Sequence, residues 1–270
     1  MKSNDCNNAK KGVVVFLDAL GTRNLDLEQS KKFCILKEKF IEDAKELWKK
    51  RQGQFIEDTD IEWNLPEPEI STFQDSIVIC WSDQQQKKDS LNILFSAGQW
   101  LIDAIPLAIG QYNLFFRGTI SYGEFIFTTS PDNVTVIGPA VTDAYNYHDL
   151  ADWIGIIQTP NCQKQYISLL KSIAEKKHHT LITEIDYFHF LFTLYDVPLH
   201  ARNEFNTPTM EFFSISWPQI SIMIEHTISI AQILLDKCIS ENPKYKSKYC
   251  NGYVFQKWYR ETGKYISPQG

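Results

Sequence analysis

Residues 12–24, GVVVFLDALGTRN, constrain the fold more than any other stretch. Five apolar residues, Val13 to Leu17, run straight into Asp18, and a glycine-containing turn follows at once. β-Branched and aromatic residues between Gly12 and Gly21 predict a buried strand. Such a strand needs a sizeable core around it. The chain can supply one, with 270 residues, 43% of them hydrophobic, enough for one large domain. The strand also raises a question, because it ends in a carboxylate with a flexible turn directly behind it.

The elements that follow alternate. Apolar residues recur at helical spacing over 27–50 (Phe33, Leu36, Phe40, Ala44, Leu47), which predicts an amphipathic helix. NLPEPEI, 64–70, breaks the pattern with two prolines. ISTFQDSIVICW, 70–81, reads as two strands hinged at Gln74 and Asp75. A largely apolar helix is expected over 90–110. A strand over 114–127 bends at Gly118 and Gly123, and further strands are expected at 134–138 and 153–158. Pro139 marks a helix start for 139–151. This order predicts an α+β fold, ferredoxin-like, with a mixed or antiparallel sheet covered by helices on one face. Residues 1–158 would form that core. Residues 159–270 read as an elaboration on the same domain, helical at 161–176 and 218–240, strand-like near 181–190, and closed by a basic aromatic helix.

Charge and cysteine usage narrow the setting. A net charge of −6 argues against a nucleic-acid partner, which favours a concentrated positive surface. The polar N-terminus lacks the apolar core of a signal peptide, and no apolar run reads as a membrane span. Six scattered cysteines form no C-x-x-C pair. A reduced cytoplasmic protein with free thiols is the expectation.

Asp18 taken singly reads as a turn or cap residue. Asp75 at the tip of the second hairpin changes that. In a ferredoxin-like sheet the two carboxylates lie side by side at one edge. Adjacent carboxylates repel unless a cation separates them, and hard oxygen donors select Mg²⁺ or Mn²⁺. The ALGT turn then offers backbone N–H groups to phosphate oxygens, and Arg23 can reach the same oxygens. Arg117, within a strand, is expected to pair with a local carboxylate such as Glu124. His178 and His179 read as a solvated loop, and the basic residues of the last helix as a solvated face.

Four stretches in order, VVFLDALGTR, TFQDSIVI, FRGTISYGE and VIGPAVTDAYN, resemble the motifs of class III nucleotidyl cyclases over roughly residues 12–158. Departures from that pattern are specific. The family's catalytic helix has Asn and Arg four and eight residues after its glycine; here those positions hold Thr142 and Asn146. The purine-reading Lys and Asp are replaced by Ser71 and Thr135. With these changes the chain most resembles the bacterial Pycsar-type cyclases that make cyclic UMP or cyclic CMP in antiphage defence. The resemblance implies a palm-like cyclase core and two Mg²⁺ or Mn²⁺ ions held by Asp18, Asp75 and the Ala19 backbone. It implies phosphate contacts at Leu20, Gly21, Thr22 and Arg23, and base recognition by Ser71 and Thr135. Asn146 and His148 become candidates for the missing transition-state donor. It further implies a homodimer with active sites at the interface, a nucleoside triphosphate substrate and a downstream effector activated by the cyclic nucleotide. A purine cyclase and a nucleotide-binding module without catalysis are the alternatives.

Overall fold

The computed structural model describes residues 9–51, 67–83, 93–130, 133–175, 191–200, 208–218, 230–241 and 243–262. Strand β1 (Lys10–Ala19) is its spine. It pairs antiparallel with β3 (Ser76–Ser82) on one side and with β4 (Phe116–Ser130) on the other. β2 (Glu69–Phe73) lies outside β3. With helices α1 (Leu27–Arg51) and α2 (Ile93–Tyr112) between these strands, the order β2-β3-β1-β4 is the ferredoxin-like β-α-β-β-α-β unit. β5 (Asn133–Ile137) pairs with the far half of β4. β6 (Gly155–Gln158) joins β4 in parallel, so the sheet is mixed, as expected.

β1 separates two apolar layers because successive side chains point to opposite faces. Val13, Val15 and Leu17 enter the main core with Phe40 of α1 and Trp100 of α2. Val14 and Phe16 pack under Ala140 and Ala144 of α3 (Pro139–Tyr147). Helices therefore cover both faces of the sheet, against the expectation of one. α3 escaped that reading because its buried contribution is two alanines, a weak apolar signal. Gly138 starts α3 with φ 135, a conformation open to glycine, and Pro139 follows in the first turn.

The C-terminal third adds strands as well as helices. β7 (Phe192–Pro198) and β8 (Thr209–Ile215) form a hairpin, and β8 pairs with β6, extending the sheet to eight strands. α4 (Pro160–Glu175), α5 (Ile230–Ser240) and α6 (Pro243–Glu261) complete the described elements. The strand-like stretch at 181–190, His178 and His179 lie outside the described residues, as do residues 219–229 of the expected 218–240 helix.

Two further expectations are corrected. α2 is long and apolar enough to cross a bilayer, but most of its apolar window is buried in the core, where sheet and α1 cover it. The thiols are not all free: Cys238 and Cys250 form a disulfide that ties α5 to α6. Their spacing matched no pattern that announces a bridge. Cys34, Cys80 and Cys162 are free.

Phe40 joins α1 to the core through ring contacts with Trp100, Tyr112 and Phe116. Phe40→Ala removes all three at a fully buried position. A loss of about 3–5 kcal/mol is expected, measured as a shift in urea midpoint with unchanged slope.

Candidate active site

Backbone register places Asp18 and Asp75 on adjacent strand ends. Asp18, near the end of β1, sits opposite Ser76 of β3 and Arg117 of β4. Asp75 occupies the tight turn between β2 and β3. Gln74, just before it, has φ 49, an uncommon conformation for a residue with a side chain. Three contacts hold this tip. Ala19 N–H donates to the Asp75 carbonyl at 3.1 Å. Thr22 Oγ1 donates to Asp75 Oδ2 at 2.5 Å. Lys37, reaching in from α1, donates from Nζ to the Gln74 carbonyl. Burial lowers the Lys37 pKa, while Cys34, Asp75 and Glu38 oppose the shift.

Asp18 is held from the other side. Arg117 Nε and Nη2 both donate to Asp18 Oδ2 at 3.0 Å. The guanidinium is almost fully buried, the carboxylate mostly so. Arg117 thus pairs across strands with Asp18, and the expected local pair with Glu124 does not form. The chain of contacts continues outward. Arg117 Nη1 lies 3.2 Å from His200 Nε2, and His200 Nδ1 lies 3.5 Å from Asp152 Oδ1. A guanidinium can only donate, so His200 Nε2 accepts and its proton sits on Nδ1, facing Asp152. Partial burial lowers the His200 pKa, Lys248 and Arg117 add to that, and Asp152 and Asp149 oppose it. The neutral ring is the form these contacts need. Neither Arg117 nor His200 was singled out for the site from sequence; Arg117 lies 99 residues from Asp18 in the chain.

The phosphate candidates divide. The Leu20 amide is committed to the Phe115 carbonyl at 2.8 Å, and the Ala19 amide to Asp75. The amides of Gly21 and Thr22 make no backbone hydrogen bond among the described residues. Gly21 has φ 84, which turns the chain back over the hairpin. Arg23 is exposed beside it. The Ala19 carbonyl, proposed for metal, receives Thr22 Oγ1 at 3.4 Å.

The remaining candidates lie apart. His148 packs on Phe16, ring centroids 4.9 Å apart, and stacks on Tyr145. Phe16 shares a sheet face with Asp18, two residues on, so His148 flanks the carboxylate end. Asn146 is exposed on α3. Asp143, on the same helix, accepts from Ser121 Oγ and Thr159 Oγ1 and anchors α3 to the sheet. Ser71 of β2 and Thr135 of β5 are half-buried on separate strands, and no contact joins them.

Asp18 and Asp75 fit a divalent cation in donor chemistry. Each has one oxygen fixed by a neighbour, Arg117 or Thr22, and its Oδ1 free of hydrogen bonds among the described residues. Fixing one carboxylate oxygen orients the other toward a metal. Among the described residues, no group of three or more His, Cys, Asp or Glu forms a metal cluster.

No family model and no curated protein matches the chain. In fold, the chain is similar to several solved structures. One is the adenylyl cyclase CyaB from P. aeruginosa, at 14% identity and TM-score 0.44, covering 77% of this chain and 94% of that one. Another is the guanylate cyclase domain of RhGC from Catenaria anguillulae with GTP, at 11% and 0.44, covering 77% and 98%. A bacterial light-regulated adenylyl cyclase gives 14% and 0.39, covering 85% and 98%. These are distant likenesses of chain path.

Arg117→Met leaves Asp18 without its partner. A loss of about 3 kcal/mol is expected, read by chemical denaturation at pH 7. A second expectation concerns pH. His200 has a lowered pKa when folded, so below about 6.5 the unfolded chain takes up the proton first. Its contribution to stability is complete above that pH and is lost as pH falls from there toward the folded value. His200→Gln should flatten this part of the stability profile between pH 7 and 5; an unchanged slope would show that another group is responsible.

Proposed function

We propose that this protein is a metal-dependent nucleotidyl cyclase that converts UTP or CTP to the 3′,5′-cyclic monophosphate and pyrophosphate. One observation carries the reading. Asp18 and Asp75, from neighbouring strand ends, flank a glycine turn whose Gly21 and Thr22 amides make no backbone hydrogen bond among the described residues, and each carboxylate is oriented by its own partner. The resemblance of four ordered motifs to class III cyclases supports the same assignment.

In the reaction, the ribose 3′-oxygen forms a bond to the α-phosphorus. The bond from that phosphorus to the bridging oxygen breaks, and pyrophosphate leaves with the electron pair. The hydroxyl proton passes to solvent. Divalent ions, when bound, would neutralise the triphosphate and make the hydroxyl more acidic. This chain's part is to hold charge and geometry. Asp18 and Asp75 would hold the ions with the Ala19 carbonyl, and Arg117 and Thr22 keep the two carboxylates in place. The Gly21 and Thr22 amides and Arg23 receive phosphate oxygens. His148 or Asn146 would donate to the α-phosphate as charge develops.

Ser71 and Thr135 stand where the family reads a purine. Two short hydroxyls change the hydrogen-bond pattern a base must match, and unmatched polar groups reject the wrong base. Exposed Phe73, Val134, Ile137 and Tyr145 give this chain apolar surface for a second copy. A head-to-tail homodimer would then complete each site from two subunits. The role of the product as a second messenger in antiphage defence, read by an effector, rests on the resemblance to Pycsar-type cyclases.

Incubation with each ribonucleoside triphosphate and Mn²⁺ tests the assignment. Cyclic monophosphate and pyrophosphate are expected from UTP or CTP. Product from ATP or GTP alone would replace pyrimidine with purine specificity. Asp75→Asn should lower turnover by at least about a hundredfold with an unchanged thermal midpoint. An undiminished rate would remove the carboxylate pair from the mechanism.

A further inference from the structure

The last helix reaches the carboxylate end of the sheet. Tyr249 of α6 is buried, packs edge-on against Phe115, and brings its hydroxyl to 3.6 Å from where a Cβ on Gly21 would lie. Asn251 Nδ2 donates to the Asp152 carbonyl at 2.6 Å. Gly252 lets the helix close on Ile154, where a Cβ would meet the isoleucine at 3.0 Å. Three contacts within four residues therefore fix this turn of α6 between the Gly21 turn and Asp152. Lys248 lies within the same turn.

Lys248 is half-buried, and no ion pair or hydrogen bond engages its ammonium among the described residues. Charged groups surround it. Arg117 and Arg23 repel it, and Asp152 and Asp18 attract it. Burial, and then Arg117, lower its pKa. Arg117 is already committed to Asp18 and His200, whereas Arg23 is exposed and has no ion pair among the described residues. Two cations, Lys248 and Arg23, thus lie near the Gly21 turn without an ion pair among the described residues, beside the Gly21 and Thr22 amides, which make no backbone hydrogen bond among them. Cations and turn amides of this kind are complementary to a polyanion.

We propose that Lys248 binds the polyphosphate of the substrate from the same subunit that supplies Asp18 and Asp75, so that α6 forms one wall of the nucleotide site. The proposal rests on the cyclase reading for its ligand, but the anion site can be tested without turnover. Among the described residues of α3 there is no lysine or arginine. Lys248 and Arg23 supply positive charge to the phosphates from outside that helix.

Calorimetric titration with inorganic tripolyphosphate, metal-free, on the full chain is the direct test. Lys248→Ala should weaken binding by about tenfold or more, and Lys248→Arg should restore most of it. Lys248→Gln, closer in size, serves if the alanine variant does not fold. With an accepted nucleotide and Mn²⁺, Lys248→Ala should raise KM and leave binding of the free nucleoside unchanged. Equal tripolyphosphate affinity in wild type and variant, or no binding by the wild type, would overturn the proposal. Lys248-dependent tripolyphosphate binding without cyclic product from any of the four nucleotides would instead overturn the cyclase reading and leave the anion site standing.

Discussion

β1 is hydrogen-bonded on both sides and covered on both faces, and everything at the candidate site is placed relative to its end. Seven register pairs with β3 and ten with β4 leave the strand no freedom to slip. A slip of one residue would exchange the faces of Val14 and Val15 and turn Asp18 away from Arg117. The Asp18–Arg117 pair is therefore a product of register. The apolar core supplies the stability, and the ion pair uses the alignment that the core enforces.

The electrostatics around the two carboxylates follow one pattern. Each acid has a cation supplied by a different element: Arg117 of β4 for Asp18, and Lys37 of α1 near Asp75. Burying a carboxylate without a partner is costly, and these cations offset that cost. Among the described residues, Oδ1 of each acid stays free of hydrogen bonds and so is available to a metal. His200 sits one contact further out and completes the coordination of Arg117 while it remains neutral. A chain of three contacts thus runs from Asp18 through Arg117 and the more exposed His200 to Asp152.

How much of this was legible in the sequence depended on distance along the chain. β1, α1 and the β2–β3 hairpin announce themselves through local periodicity and turn residues, and they appear within a few residues of where the pattern puts them. The carboxylates were legible as a pair because the hairpin and β1 belong to one compact unit. β7 and β8 were both missed, although TMEFFSI is rich in aromatic and apolar residues; their hairpin is local, but the pairing that joins it to the sheet is with β6, some fifty residues earlier, and no local signal announces it. Arg117 was assigned to Glu124, near in sequence, when its partner was Asp18, near only in space. Lys248 looked like one charge of a solvated helix face, because composition does not show which face of a helix is pressed against a turn of another element. The Cys238–Cys250 bridge was invisible for the same reason.

The placement of α6 has a consequence for a chain emerging from the ribosome. Asp18 and Asp75 are synthesised in the first third, and the core strands that align them are complete by β4. His200 and Lys248 arrive only with the last third. Domains begin to fold from their N-terminal portions during synthesis. A nascent chain would therefore hold an aligned carboxylate pair well before the helix that walls it exists. The site is finished only once α6, the last described helix, has been made.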